Sequence, residues 1–272
     1  MECGRQRRWR SCLLVVLVAV WGTATLSVSS GTESLPDLGG RWAVVMVMVG
    51  RGEIPFVGPG SVETTAVLLT TIEQDGESLT LCDEYCSTTI VMEPPMAQTT
   101  VPDLFVRSLV PPARSATLRA TDGATLFTQE WHTEVRGADL ADPVNDPLPR
   151  DAYDRRVIDQ DGDGKPGLTV PVCIPDVVGG DTYVVHRLRY RLDGRVVDPD
   201  TVSGTIEWTS EQNVILATDA VLMMSISLPA DPDASRHRFL MVRVDDSWTC
   251  ERLQAELPSL LVRLGEVGAS AP

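Results

Sequence analysis

Tyr183-Val-Val-His-Arg-Leu-Arg-Tyr-Arg-Leu192 alternates without a break. On an extended chain Val184, His186, Leu188, Tyr190 and Leu192 fall on one side, and Arg187, Arg189 and Arg191 on the other. On a helix the same residues would scatter around the axis, so the period of two predicts a strand with one apolar face. The pattern recurs in both directions along the chain. Val202, Ile206 and Trp208 share a face opposite Ser203, Thr205, Glu207 and Thr209. Thr125, Phe127, Gln129, Trp131, Thr133 and Val135 share another, opposite Glu130, His132 and Glu134. Val62 to Ile72 interleaves threonine with apolar residues and runs into the turn signal Gln74-Asp75-Gly76. Trp42 to Val49 is apolar on both faces, as a strand covered on both sides requires, and Arg238 to Val244 is the last strand. With turn residues every dozen or so positions, the chain reads as all-β, an antiparallel barrel or sandwich.

One segment breaks the period. Cys250, Leu253, Leu257, Leu260, Leu261 and Leu264 recur at helical spacing behind a cap at Asp246 or Ser247, which predicts a short C-terminal helix. Pro258 is expected to break it in two.

The 272 residues are 43% hydrophobic and 22% charged, which excludes a collagen, a coiled coil or a disordered polymer. A net charge of −15 repels phosphates and argues against nucleic acid as a partner. The N-terminus reads as an address. Arg5, Arg7, Arg8 and Arg10 precede the apolar run Cys12 to Trp21, and Gly22-Thr23-Ala24 supplies a small-residue exit. That run is about half the ~20 residues needed to span a bilayer, so residues 1–24 are expected to be a signal peptide, with no transmembrane anchor after cleavage. The destination is secreted or periplasmic. Four cysteines would remain, and in an exported chain an even count predicts two disulfides. Three connectivities are open; the sequence proximity of Cys82 and Cys86 favours that pair, with Cys173 joined to Cys250. No Cys-x-x-Cys pair with a nearby histidine supports zinc.

Residues 25–37 are small and polar and read as a disordered leader, 38–264 as a single β-rich domain, and 265–272 as a disordered tail. Within the domain all periodicity is lost between Gly137 and Gly164. That stretch carries eight Asp and three Arg, and a structureless loop of such length calls for a purpose.

Its end supplies one. In Asp159-Gln-Asp161-Gly-Asp163-Gly164-Lys165-Pro-Gly167, alternate aspartates bring three carboxylates to one side of a turn, Gly164 permits the reversal, and the Lys165 carbonyl offers a fourth oxygen. Such a set of hard oxygens suits calcium. Over about a dozen residues the spacing resembles the loops of dockerins, thrombospondin type 3 repeats and extracellular propeller repeats. The resemblance implies ligand roles for Asp159, Asp161, Asp163 and Lys165. The twelfth position, an acid in EF-hands, is Val170, so Asp154, Asp176 and Asp181 are the nearest candidates for a further ligand. Flanks that read as strands make the ion a structural staple and not a helix-opening switch.

A second resemblance lies at Leu38-Gly-Gly40-Arg-Trp42. It looks like the Gly-x-Trp strand start of lipocalin-like barrels, which implies a tryptophan closing the barrel floor under an arginine of the final strand. Arg243 is the candidate here.

Catalytic signatures are sparse. No Gly-x-Ser-x-Gly elbow or His-Glu-x-x-His helix occurs, and the sole lysine, Lys165, sits in the aspartate loop. His186 reads as a satisfied interior imidazole, His132 as lying on a solvated face and His237 as a strand entrance. Arg187, Arg189 and Arg191 read as a charged face. No catalytic residue and no organic cofactor is assigned. The expected function is a calcium-stapled exported barrel, non-catalytic, that binds a small apolar or amphipathic ligand or serves a structural role. The alternatives are a carbohydrate- or surface-binding sandwich, and a carboxylate-dependent glycoside hydrolase.

Overall fold

The computed structural model describes residues 35–54, 58–95, 98–99, 101–176, 178–225 and 228–269. The signal peptide and most of the leader lie outside them. The elements are β1 (Gly40–Ile54), β2 (Gly58–Asp75), β3 (Ser78–Glu93), β4 (Gln98–Thr99), α1 (Asp103–Ser108), β5 (Arg114–Thr121), β6 (Ala124–Arg136), β7 (Leu168–Ile174), β8 (Val178–Asp198), β9 (Thr201–Ala217), β10 (Arg238–Val244) and α2 (Cys250–Ala269). The expected all-β antiparallel class with a short C-terminal helix is what is seen.

The sheet closes on itself. Neighbours in chain order pair from β1 through β2, β3, β5 and β6 to β8, then on through β9 to β10, which returns to β1. β7 and β4 lie outside this circuit, β7 against the first residues of β8 and β4 against β7. The circuit pairs its members on both sides except where β3 beyond Leu81 and β6 beyond Gln129 outrun the short β5. Closure needs tight curvature where β8 meets β9, and Gly194 faces Gly204 there. A Cβ on Gly204 would sit 2.4 Å from the Gly194 Cα, so only glycine admits this approach.

Alternation fills the inside. Trp42, Met46, Leu68, Leu81, Phe127, Tyr190 and Phe239 are fully enclosed. The other face of β1, with Ala43, Val45, Val47 and Val49, meets Leu240 and the Leu253, Leu260 and Leu264 stripe of α2. Trp42 to Val49 is thus covered on both sides, as its sequence requires. The Arg243 guanidinium stacks over Trp42 at 4.6 Å and donates to the carbonyls of Asp37 and Gly39 at 2.6 Å each. Leu35 packs on the interior cluster and the Pro36 carbonyl accepts from Gln74, so order begins before residue 38.

Three expectations are corrected. The disulfide is Cys86–Cys250, with Cα atoms 4.9 Å apart. Cys82 and Cys86 lie along one extended strand, ~13 Å apart by strand rise, beyond any bridge. Cys86 is instead the unpaired bulge residue of β3, between Tyr85 opposite Leu68 and Ser87 opposite Val67. It reaches the first residue of α2, and Cys173 stays an exposed thiol. Second, α2 runs unbroken through Pro258 to Ala269, past the residue at which a disordered tail was expected. Pro258 sits on the solvent side, where water can satisfy the carbonyl it strands, while the leucine stripe and the disulfide hold the helix on both sides of it.

The third correction concerns β6. Gln129 faces Leu192 and His132 faces Tyr190, so Glu130 and Trp131 together oppose a single residue of β8. This bulge reverses the parity of everything after it. Trp131 turns outward, 41% exposed, beneath Arg189 and Arg191. His132, Glu134 and Arg136 turn inward with Phe127 and Gln129.

Candidate functional site

The loop from Gly137 to Gly167 packs on the outer face of β8 and β9 through its own apolar cluster of Ala138, Leu140, Leu148, Tyr183, Val185 and Ile215. Arg187, expected on a solvated face, is buried beneath it and donates to the carbonyls of Val144 and Asp146. Arg191 does keep to the charged surface, paired with Glu207. The neck of the loop is closed by Gly167 N–H on the Ile158 carbonyl at 2.8 Å and Ile158 N–H on the Gly137 carbonyl at 3.1 Å.

At that neck Asp159, Asp161 and Asp163 each bring a carboxylate oxygen within 4.8 Å of the others, a group that could hold a metal ion. Backbone shapes the turn around them. Asp159 accepts from the N–H groups of Gly162, Asp163 and Gly164, and Gly164 adopts a φ of 82° that a side chain would resist. Asp163 accepts from Lys165 N–H and from the Thr169 hydroxyl. Asp161 accepts Thr169 N–H on one oxygen, while its other oxygen is buried without a hydrogen bond among the described residues. Desolvation, and then the neighbouring charges of Asp163 and Asp159, push the Asp161 carboxyl above its ordinary value. Lys165 meets the cluster through its backbone N–H. Asp154 is taken by Arg156 at 2.6 Å, which holds its carboxyl at about 2, and neither Asp176 nor Asp181 joins the group. The sequence did not point to Thr169 or Gln160. Gln160 ties the loop to the rest of the molecule, accepting from Gly137 N–H at 2.6 Å and donating to the Ser108 carbonyl at 3.2 Å.

A second constellation lies inside the sheet. The Asp83 and Arg114 side chains, both 0% exposed, pair through two hydrogen bonds of 2.6 and 2.8 Å. Arg114 also donates to Gln129, and the Thr70 hydroxyl donates to Asp83 at 2.7 Å. Farther along, Glu134 accepts from Arg136 at 2.6 Å, from the Tyr85 hydroxyl at 3.1 Å and from the Tyr190 hydroxyl at 3.2 Å. Burial above all, together with the Glu134 charge, raises the Tyr85 hydroxyl far above its usual value. His132 Nε2 stands 3.7 Å from Glu134, beyond hydrogen-bond reach, and has no hydrogen-bond partner among the described residues; burial lowers its pKa. The solvated face expected for His132 is thus corrected, because the bulge turned it in. His186 is half-buried and hydrogen-bonded, 2.9 Å from the Ser210 hydroxyl. His237, at the entrance to β10, accepts from Val49 N–H and the Trp208 indole on Nδ1 and donates from Nε2 to the Asp231 carbonyl.

A cavity of about 230 Å³ lies between Glu134 and Arg136 of the interior network and Gln160 of the acidic loop. β5 pairs with β6 only as far as Gln129 and with β3 only over Ser78–Leu81. Beyond it, residues 133–136 of β6 lack a neighbour on that side, and the segment after α1 runs past instead. Leu109, Val110 and Pro112 of that segment, Leu140 of the acidic loop, and Gln160 wall the cavity, with Glu134 and Arg136 against it.

No protein family, curated protein or solved structure matches the chain.

Proposed function

We propose that this is an exported, non-catalytic β-sheet protein, stapled by calcium at Asp159, Asp161 and Asp163, that carries a small amphipathic ligand. The observation that carries the reading is the convergence of three carboxylates within 4.8 Å at the neck of the acidic loop. Like charges so close repel one another, and a divalent ion among them turns that cost into a crosslink. Hard oxygen donors on a flexible turn favour calcium over a transition metal, and the Lys165 carbonyl is the fourth ligand in this reading. The ion would hold Gln160 and Leu140 in place as part of the cavity wall. Export is supported by the disulfide, which persists in oxidising compartments.

Binding is favoured over hydrolysis because both interior carboxylates, Asp83 and Glu134, are ion-paired with arginines. A general acid for glycoside cleavage needs the opposite surroundings, which keep it protonated. A carbohydrate module would present a row of tryptophans, whereas Trp42 and Trp208 are interior and Trp131 lies under two guanidiniums.

Calorimetric titration of chelator-stripped protein with calcium tests the staple. Saturable heat is expected for the wild type and its loss in Asp161→Ala; no heat in the wild type ends the reading.

A further inference from the structure

We propose that the outer face of β8 binds a small organic monocarboxylate at Arg189, between the hydroxyls of Thr133 and Thr209. This site lies apart from the aspartate cluster and does not depend on calcium or on a ligand in the cavity, although Thr133 also borders that cavity.

Strand register makes this face a ladder of charged rungs. Arg187, Arg189 and Arg191 project outward at every second residue, ~7 Å from one to the next. Opposite them β9 places Glu211, Thr209 and Glu207. The outer two rungs carry their own acid. Arg187 reaches Glu211 at 3.3 Å and the carbonyls of Val144 and Asp146. Arg191 reaches Glu207 at 2.6 Å and Asp193 at 3.5 Å. The middle rung has threonine on both sides, Thr209 of β9 and Thr133 of β6. Arg189 makes no hydrogen bond and no ion pair among the described residues, and its guanidinium stands 5.5 Å from the centre of the Trp131 ring. Its Nε is buried, so the donors it shows to solvent are the two terminal Nη groups.

Two Nη groups form a fork that matches the two oxygens of a carboxylate. The hydroxyls of Thr133 and Thr209 flank the fork, on side chains ~5 Å from that of Arg189 at Cβ, and can donate to the same oxygens. Charge limits the ligand to one such group. Glu211 is matched by Arg187, which Asp142 also faces, and Glu207 and Asp193 are matched by Arg191; Glu130 is exposed beside Trp131. One guanidinium is left for one negative charge, and a second carboxylate would be pressed toward Glu207 or Glu211. The net charge of −15 does not override the rung, because exposed charges beyond ~8 Å are largely screened at physiological salt. Trp131, 41% exposed, is the apolar surface that the carbon skeleton of the ligand meets.

The test is an NMR titration of nitrogen-labelled, disulfide-intact protein at neutral pH and physiological salt with butyrate, succinate and butylammonium, probes of one chain length. Butyrate is expected to saturate and to move the Arg189 Nε–H and Trp131 indole N–H resonances. It should bind at least threefold more tightly than succinate, and butylammonium should leave both resonances in place. Thr209 is exposed, so Thr209→Glu supplies the missing acid without touching the interior. This variant, like Arg189→Gln, should weaken butyrate binding at least tenfold with far-UV circular dichroism unchanged. Thr209→Gln, equal in length but uncharged, should stay within threefold of wild type. Absence of saturation, succinate binding as tightly as butyrate, or shifts at those two resonances with butylammonium overturns the assignment. So does undiminished binding in Thr209→Glu, or a loss in Thr209→Gln as complete as in Thr209→Glu.

Discussion

Arg114 and Asp83 are held without any contact with water. Taking both ions out of solvent is expensive, and the pair survives because each is also hydrogen-bonded, Asp83 by Thr70 and Arg114 by Gln129. Removing one partner leaves the other charged and dry. Asp83→Ala is therefore expected to cost about 3–5 kcal/mol in urea unfolding, and a loss near zero would mean that the interior is wet. His186 gives a second handle. Burial, with a contribution from the Arg136 charge, lowers its pKa to about 3, whereas the unfolded chain restores about 6.5. Between those values the unfolded state binds a proton that the folded state refuses. Stability is therefore full above about pH 6.5 and falls as the pH drops toward 3. His186→Gln should flatten that decline in urea midpoints measured at pH 7 and pH 4.5; parallel slopes for the two proteins would contradict it.

Elements were legible in the sequence wherever a local period governed them. The Tyr183–Leu192 alternation, the doubly covered β1 and the leucine stripe of α2 could each be read from their own residues. β6 could not, because its bulge is fixed by how Gln129 and His132 register on β8, a partner about sixty residues away. Residues after Trp131 therefore turned to the opposite side from the one a strict period assigns, and the interior cluster stayed hidden. Inserting one alanine between Trp131 and His132 is expected to shift the parity by one residue and drive His132, Glu134 and Arg136 outward, with loss of the cooperative melting transition. Glu130→Ala, which keeps the residue count, should stay within about 0.5 kcal/mol of wild type. If both variants melt alike, the bulge does not set the parity. The disulfide was misread for a related reason: proximity in sequence along a strand is distance in space, and Cys86 found a partner on a packed helix.

For the whole molecule, the pairing that closes the sheet uses no residue from Gly137 to Gly167. The acidic loop is an attachment held by its own small core, the Gln160 bonds and, in our reading, an ion. Chelation is accordingly expected to speed proteolysis within that segment several-fold while far-UV circular dichroism stays constant. Cleavage at the same rate with and without calcium would count against the staple. The aspartate spacing foretold this cluster because its geometry is built from consecutive residues. The cavity was out of reach of such reading, since its walls come from a post-helical segment, a strand end and a distant loop that only tertiary folding assembles.

The circuit also imposes a timetable on biogenesis. β1 obtains its second neighbour only when β10, beginning at Arg238, becomes available, and the same late strand completes β9. Until the ribosome has delivered β10 and Cys250, two hydrogen-bonding margins stand open and the cysteine at 86 waits for its mate. Such a chain cannot lock prematurely, which, if it is exported as we propose, suits passage through a narrow translocation pore in an unfolded condition.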